Sequence, residues 1–123
     1  MPPYSSLLMQ HFQTPHNAGA LEQYDGLGEA SLAGRAPRIK IYLALQDGLI
    51  SQAGFETFGC GVAIACASAS TEMALGRTPQ ACLSITALEV VDLLGELPQG
   101  KRFCADLAVE ALQEAAKNCL LKP

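Results

Sequence analysis

Two cysteines of this chain stand where a thiol can do chemistry. Thr57-Phe58-Gly59-Cys60-Gly61 closes a β-rich stretch, and Lys101-Arg102-Phe103-Cys104 opens a late helical pattern. At both places a breaker or polar segment hands over to an apolar helical run. A thiol at a helix N-terminus faces unpaired backbone N–H groups and the positive end of the helix dipole, which favour the thiolate. Lys101 and Arg102 add positive charge beside Cys104. Two such thiolates, brought together by the fold, would hold a metal or a sulfur species. Alone they fall short of the four ligands that zinc and iron–sulfur clusters usually take. Cys66, Cys82 and Cys119 lie among apolar neighbours and read as small buried hydrophobes. His11 reads as a surface or packing residue of a first helix and His16 as a loop residue, neither of them a ligand.

Composition narrows the surroundings of those thiols. The chain has 123 residues, 50% of them hydrophobic, enough for one compact domain over residues 1–123 with a real core. A net charge of −4 argues against nucleic acid, because phosphate contacts need a basic surface. Met1-Pro2-Pro3-Tyr4 lacks the basic start and apolar run of a secretion signal. The longest apolar stretch, Val62 to Ala67, is far too short to span a bilayer. Five cysteines without a secretion signal point to free thiols in a reducing cytoplasm.

The elements that must carry the thiols follow from period and breakers. Tyr4 to Phe12 reads as a short amphipathic helix with Leu7, Leu8 and Phe12 apolar and Pro15 beyond its end. Gly19 to Gly34 is rich in glycine and polar residues, with a short strand around Glu29 to Ala33. Arg38 to Leu45 alternates as a strand, with Ile39, Ile41, Leu43 and Leu45 on one face. Asp47-Gly48 signals a hairpin, and Leu49 to Phe58 returns. After Gly59 the period changes: Val62, Cys66, Ala69 and Met73 fall on one stripe of a small-residue helix that Gly76 ends. Thr78-Pro79 caps and opens a short helix, and Thr86-Ala87-Leu88-Glu89 has capping-box form for another, stopped at Gly95. Leu97 to Gly100 is a loop, and Lys101 to about Asn118 is helical. Strands first and helices after predict an α+β fold, a small three-stranded antiparallel sheet with helices on one face.

Residues 55–65, Phe-Glu-Thr-Phe-Gly-Cys-Gly-Val-Ala-Ile-Ala, resemble the central motif of the IscU/NifU N-terminal scaffold family. Tyr4 with the run from His11 to Gly19 is similar to the family's opening motif, and Thr71-Glu72-Met73 with Gly76 to its middle helix. Leu97 to Lys101 followed by Cys104 to Ala108 is similar to its last motif. The resemblance implies a non-enzymatic scaffold on which an iron–sulfur cluster is built transiently. A cysteine desulfurase supplies persulfide sulfur, iron joins it, and the cluster passes to acceptor apo-proteins. Cys60 falls on the family's second cysteine ligand. Cys104 falls on its third, the position that typically accepts sulfur. The same thiols could take iron alone or zinc.

Three positions depart from the family pattern. Arg35 stands for its first cysteine, Pro37 for an aspartate, and Phe103 for the histidine before the third cysteine. Arginine has no lone pair to give a metal, and proline and phenylalanine offer no side-chain ligand. One subunit therefore cannot hold a cluster in the family's usual manner, and three readings stay open. A homodimer could pool Cys60 and Cys104 from each subunit, with Arg35 offsetting the anionic charge. The chain could instead accept persulfide on Cys104, supported by Lys101, Arg102 or Arg35. Or it could be a partner-binding or regulatory module of the assembly machinery. The family's loop for an Hsp70-type chaperone survives as Leu97, Pro98 and Lys101, with Gln99 and Gly100 between them; the plainer reading is a helix-entry loop.

Overall fold

The computed structural model describes residues 5–121. The elements run α1 (Ser6–Gln13), β1 (Gly26–Leu32), β2 (Arg35–Gln46), β3 (Leu49–Phe58), α2 (Gly61–Ala74), α3 (Pro79–Cys82), α4 (Ala87–Leu94) and α5 (Arg102–Leu121). The three strands form one antiparallel sheet in the order β1-β2-β3, and α5 lies across β1 and β2 while α2 covers β3. This is the α+β arrangement predicted from the order of elements. No helix among the described residues is long and apolar enough to cross a membrane.

Local chemistry accounts for most boundaries. The β2–β3 hairpin turns through Asp47 and Gly48, both with positive φ, as a tight turn with right-handed strand twist requires. Thr78 accepts from the Ala81 N–H to open α3, and Thr86 with Glu89 closes a complete capping box on α4. α1 begins at a Ser5 cap, whose hydroxyl accepts from the Leu8 N–H; the predicted start at Tyr4 lies outside the described residues. Its buried face is Leu8 with His11, one turn apart, while Leu7 and Phe12 are exposed.

β2 runs from Arg35, three residues before its expected start, and α5 runs on to Leu121; β1 and α2 depart from the sequence pattern further, both because of tertiary packing. β1 was expected only around Glu29 to Ala33, yet it starts at Gly26 and ends before Ala33, which turns with φ 54°. Its glycines are the reason it is there. A Cβ on Gly28 would collide with the Ala111 carbonyl oxygen, and one on Gly26 with that of Ala115, so α5 rests directly on the strand backbone. In α2, burial is not confined to one stripe: Val62, Ala63, Ala65 through Thr71, and Ala74 are all buried. The helix is enclosed by the sheet, α1, α4 and α5, and its small side chains permit that enclosure. The helix-facing side of the sheet carries Ala30, Ile39, Ile41, Leu43, Ala53 and Phe55, all in the core. On the opposite face Tyr42 donates to Glu56 Oε1 at 2.6 Å, and Tyr24 packs edge-on against the Tyr42 ring.

Candidate functional site

Cys60 sits at the turn from β3 into α2. Gly59 before it takes φ 150° and lets Pro37 of β2 pack so closely that a Cβ would lie 2.8 Å from the proline ring. Gly61 after it leaves room for the Phe12 ring of α1. Cys60 is the N-cap of α2, its carbonyl accepting from Ala63 and Ile64. Its half-buried thiol makes no formal capping bond but lies near the helix's unpaired amides. Burial pushes this thiol up. The Ala63 and Val62 N–H groups, the Lys101 ammonium and the Cys104 thiol together outweigh that and hold it below the ordinary thiol range.

Cys104 approaches from the other side, in the first turn of α5, with its N–H bonded to the Lys101 carbonyl at 3.0 Å. It is fully buried. Burial, then the neighbouring Cys60 charge and the hydrogen bond between the two thiols, push it up to about 12, against the pull of Lys101. The two helix starts therefore meet in an unequal pair. Cys60 takes the negative charge, and Cys104 remains a thiol. Lys101 is the cation acting on both, and its ammonium lies 5.9 Å from the centre of the Phe103 ring. Phe103, the residue standing at the family's histidine position, is packed against the core.

The other predicted residues fall in different places. Arg35 is exposed at the start of the central strand β2, where it lines a shallow pocket with Gly34, Ala36, Arg38 and Phe58. Leu97 is half-buried against the core and Pro98 half-buried beside it, while Gln99 and Gly100 are exposed. That loop leads into α5 through the Lys101 N–H bond to the Pro98 carbonyl. Cys66 is fully buried, as its apolar neighbours predict, and burial first, then the charges of Cys104, Cys60 and Asp106, push its thiol strongly up. Only its i+6 spacing from Cys60 hints at that nearness, and such spacing is common in any helix. Of the two places expected for His11, the structure gives the packed one: it is buried, its Nδ1 lies 2.7 Å from Ser68 Oγ, and burial lowers its pKa despite the charge of Glu72.

This geometry can be set beside known proteins. The chain is 41% identical over 112 residues to the iron-sulfur cluster assembly scaffold protein IscU 1 of Archaeoglobus fulgidus, covering 91% of this chain and 73% of that protein. It is 36% identical over 121 residues to the iron-sulfur cluster assembly scaffold protein IscU of Aquifex aeolicus, covering 97% and 77%. Among solved structures, the N-terminal part of a nitrogen-fixing NifU-like protein from Brucella abortus superposes with a TM-score of 0.72 over 97% of this chain and 95% of that one. At 14% identity that likeness speaks for the fold. The family described as the NifU-like N terminal domain matches residues 3–123, and this chain belongs to it.

Proposed function

We propose that this chain serves iron–sulfur cluster assembly as a scaffold, holding sulfur, iron and the nascent cluster as cargo on Cys60 and Cys104. The observation that carries the reading is the meeting of these two thiols at the starts of α2 and α5 under the Lys101 ammonium. The names of the Archaeoglobus and Aquifex relatives support it. The chain acts by carrying cargo, not by turning over a substrate, and a reducing cytoplasm would keep its thiols free.

The chemistry follows from the inequality of the pair. The Cys60 thiolate attacks the outer sulfur of a persulfide on a cysteine desulfurase. The donor's sulfur–sulfur bond breaks, Cys60 becomes the persulfide, and the electron pair leaves on the desulfurase thiolate. Cys60 thus takes the sulfur in this conformation; Cys104, the position indicated by the resemblance, is too deeply buried and too weakly acidic to be first. Cys104 acts next, once its proton is lost, as the second ligand. A cluster takes four thiolates, so two copies of this chain, each giving Cys60 and Cys104, complete the set before transfer to an acceptor apo-protein. Arg35 stays outside this pair, and Leu97, Pro98 and Lys101 are proposed first as the loop that sets the start of α5, with chaperone docking as its further use.

Anaerobic reconstitution with iron, a desulfurase and cysteine tests this, read by visible absorption, iron and sulfide per chain, and sizing. One cluster per dimer, lost on changing either cysteine, is the expected outcome. Sulfur on Cys60 without a chromophore would reduce the role to sulfur acceptor. Neither signal would leave only the regulatory module.

A further inference from the structure

A second cluster of ligating side chains lies apart from the thiols, where α1 and the loop after it meet the middle of α2. His11 Nε2 is 3.5 Å and His16 Nδ1 is 3.3 Å from the same carboxylate oxygen, Oε2 of Glu72. The three ligand atoms all lie within 4.8 Å of one another. Glu72 is twelve residues beyond Cys60 on the same helix, about 18 Å along its axis at 1.5 Å per residue. We propose that His11, His16 and Glu72 form a site for a divalent first-row transition ion such as Zn²⁺, distinct from the thiol pair.

The distances match the ligand-to-ligand edges of an ion site and exceed those of short hydrogen bonds. A charge-assisted N–H···O⁻ bond draws its atoms to about 2.7–2.9 Å, and both contacts here are longer. Ligands bound at about 2.0–2.1 Å around a tetrahedral ion stand about 3.3–3.4 Å apart, and two of the three edges already have close to that length. The third edge closes by a small rotation of His16, whose side chain is 52% exposed and already packs its ring against that of His11, the centroids 4.9 Å apart.

The surroundings are built as ligating histidines require. Ser68 Oγ lies 2.7 Å from His11 Nδ1 and accepts the His16 backbone N–H at 2.8 Å. When His11 donates from Nδ1 to this buried hydroxyl, its Nε2 presents a lone pair toward Glu72, the second-shell arrangement that fixes the tautomer of a ligating imidazole. The loop bearing His16 is pinned on its far side. Asn17 donates to Thr71 Oγ1 at 3.2 Å, and its carbonyl accepts from the Phe55 N–H at 3.1 Å. Two imidazoles and one carboxylate suit zinc or iron better than calcium or magnesium. Three protein ligands also leave a fourth position facing solvent between the exposed His16 and Glu72 side chains.

The test uses the full chain carrying Cys60→Ser and Cys104→Ala, stripped with chelator and titrated with Co²⁺ under anaerobic conditions. One Co²⁺ per chain is expected, giving visible d–d bands without a sulfur-to-cobalt charge-transfer band and displaced by Zn²⁺. His16→Gln and Glu72→Gln, both at exposed positions, should each weaken binding about tenfold or more with an unchanged far-ultraviolet circular dichroism spectrum. The unaltered chain should show the same component, free of charge transfer and removed by His16→Gln, which keeps the test valid if the cysteine variant folds poorly. Absence of Co²⁺ binding, a thiolate spectrum alone, or a parental affinity retained by both variants would overturn the site. Because the thiol pair is missing from the titrated protein, failure here leaves the cluster-assembly reading standing, and failure of reconstitution leaves this site standing.

Discussion

The Cys60 and Cys104 thiols come from the starts of two different helices, α2 and α5, and stand close enough that each shifts the other's acidity. Their neighbours are nearly the same, yet their acidities move in opposite directions. Cys60 has the α2 amides and partial access to water, whereas Cys104 has burial and the repulsion of a charge already on Cys60. One negative charge is shared unequally by two sulfurs.

That inequality predicts thiol reactivity. Iodoacetamide should modify Cys60 first, at a rate that reaches its plateau at lower pH than for an ordinary thiol, because a depressed pKa leaves more thiolate at each pH below it. Lys101→Met removes a cation that favours both thiolates. It should slow the modification of Cys60 at neutral pH by about two- to fivefold, the scale of one half-exposed ion contact. Peptide mapping by mass spectrometry across a pH series measures both effects; a faster Cys104 would reverse the assignment.

The paired ligands predict a sharp contrast among cysteine variants. Cys60→Ser and Cys104→Ser should each abolish cluster formation on reconstitution. Cys82→Ser should leave it intact, since Cys82 is buried in α3, where burial raises its thiol pKa. Iron and sulfide analysis of the three variants decides this, and equal loading in all three would remove the pair from the mechanism.

The seat of α5 on β1 depends on missing side chains. Gly28→Ala would push a methyl into the Ala111 carbonyl, and neither strand nor helix backbone can yield without opening the core. A loss of about 1–3 kcal/mol or more is expected from such overpacking, measured as a lower urea midpoint at unchanged slope. Gly34→Ala meets no neighbouring atom, and its cost is limited to the strain of its positive φ.

The capping box of α4 gives a local contrast. Thr86→Ala removes the hydroxyl that accepts the Glu89 N–H at 3.2 Å and should cost about 1 kcal/mol. Denaturation should show the loss while cluster loading stays normal, because α4 carries none of the proposed ligands.

Contacts between neighbours along the chain account for the features that could be read directly from it. Asp47-Gly48 dictates its turn through two positive φ values, Thr86 and Glu89 cap their helix across three residues, and β3 was legible from end to end. The helix-start positions of Cys60 and Cys104 were legible for the same reason, since a glycine or polar break beside an apolar run marks a helix end locally. The tertiary structure alone decided the rest. Gly26 and Gly28 look like loop residues until α5 rests on them, and the burial of α2 on nearly every side depends on elements distant in the sequence. Burial, invisible in the spacing, made the two thiols unequal and tied Cys66 to them. No period along the chain relates His16 in a loop to Glu72 in a helix; only the docking of α1 on α2 brings their atoms to one point.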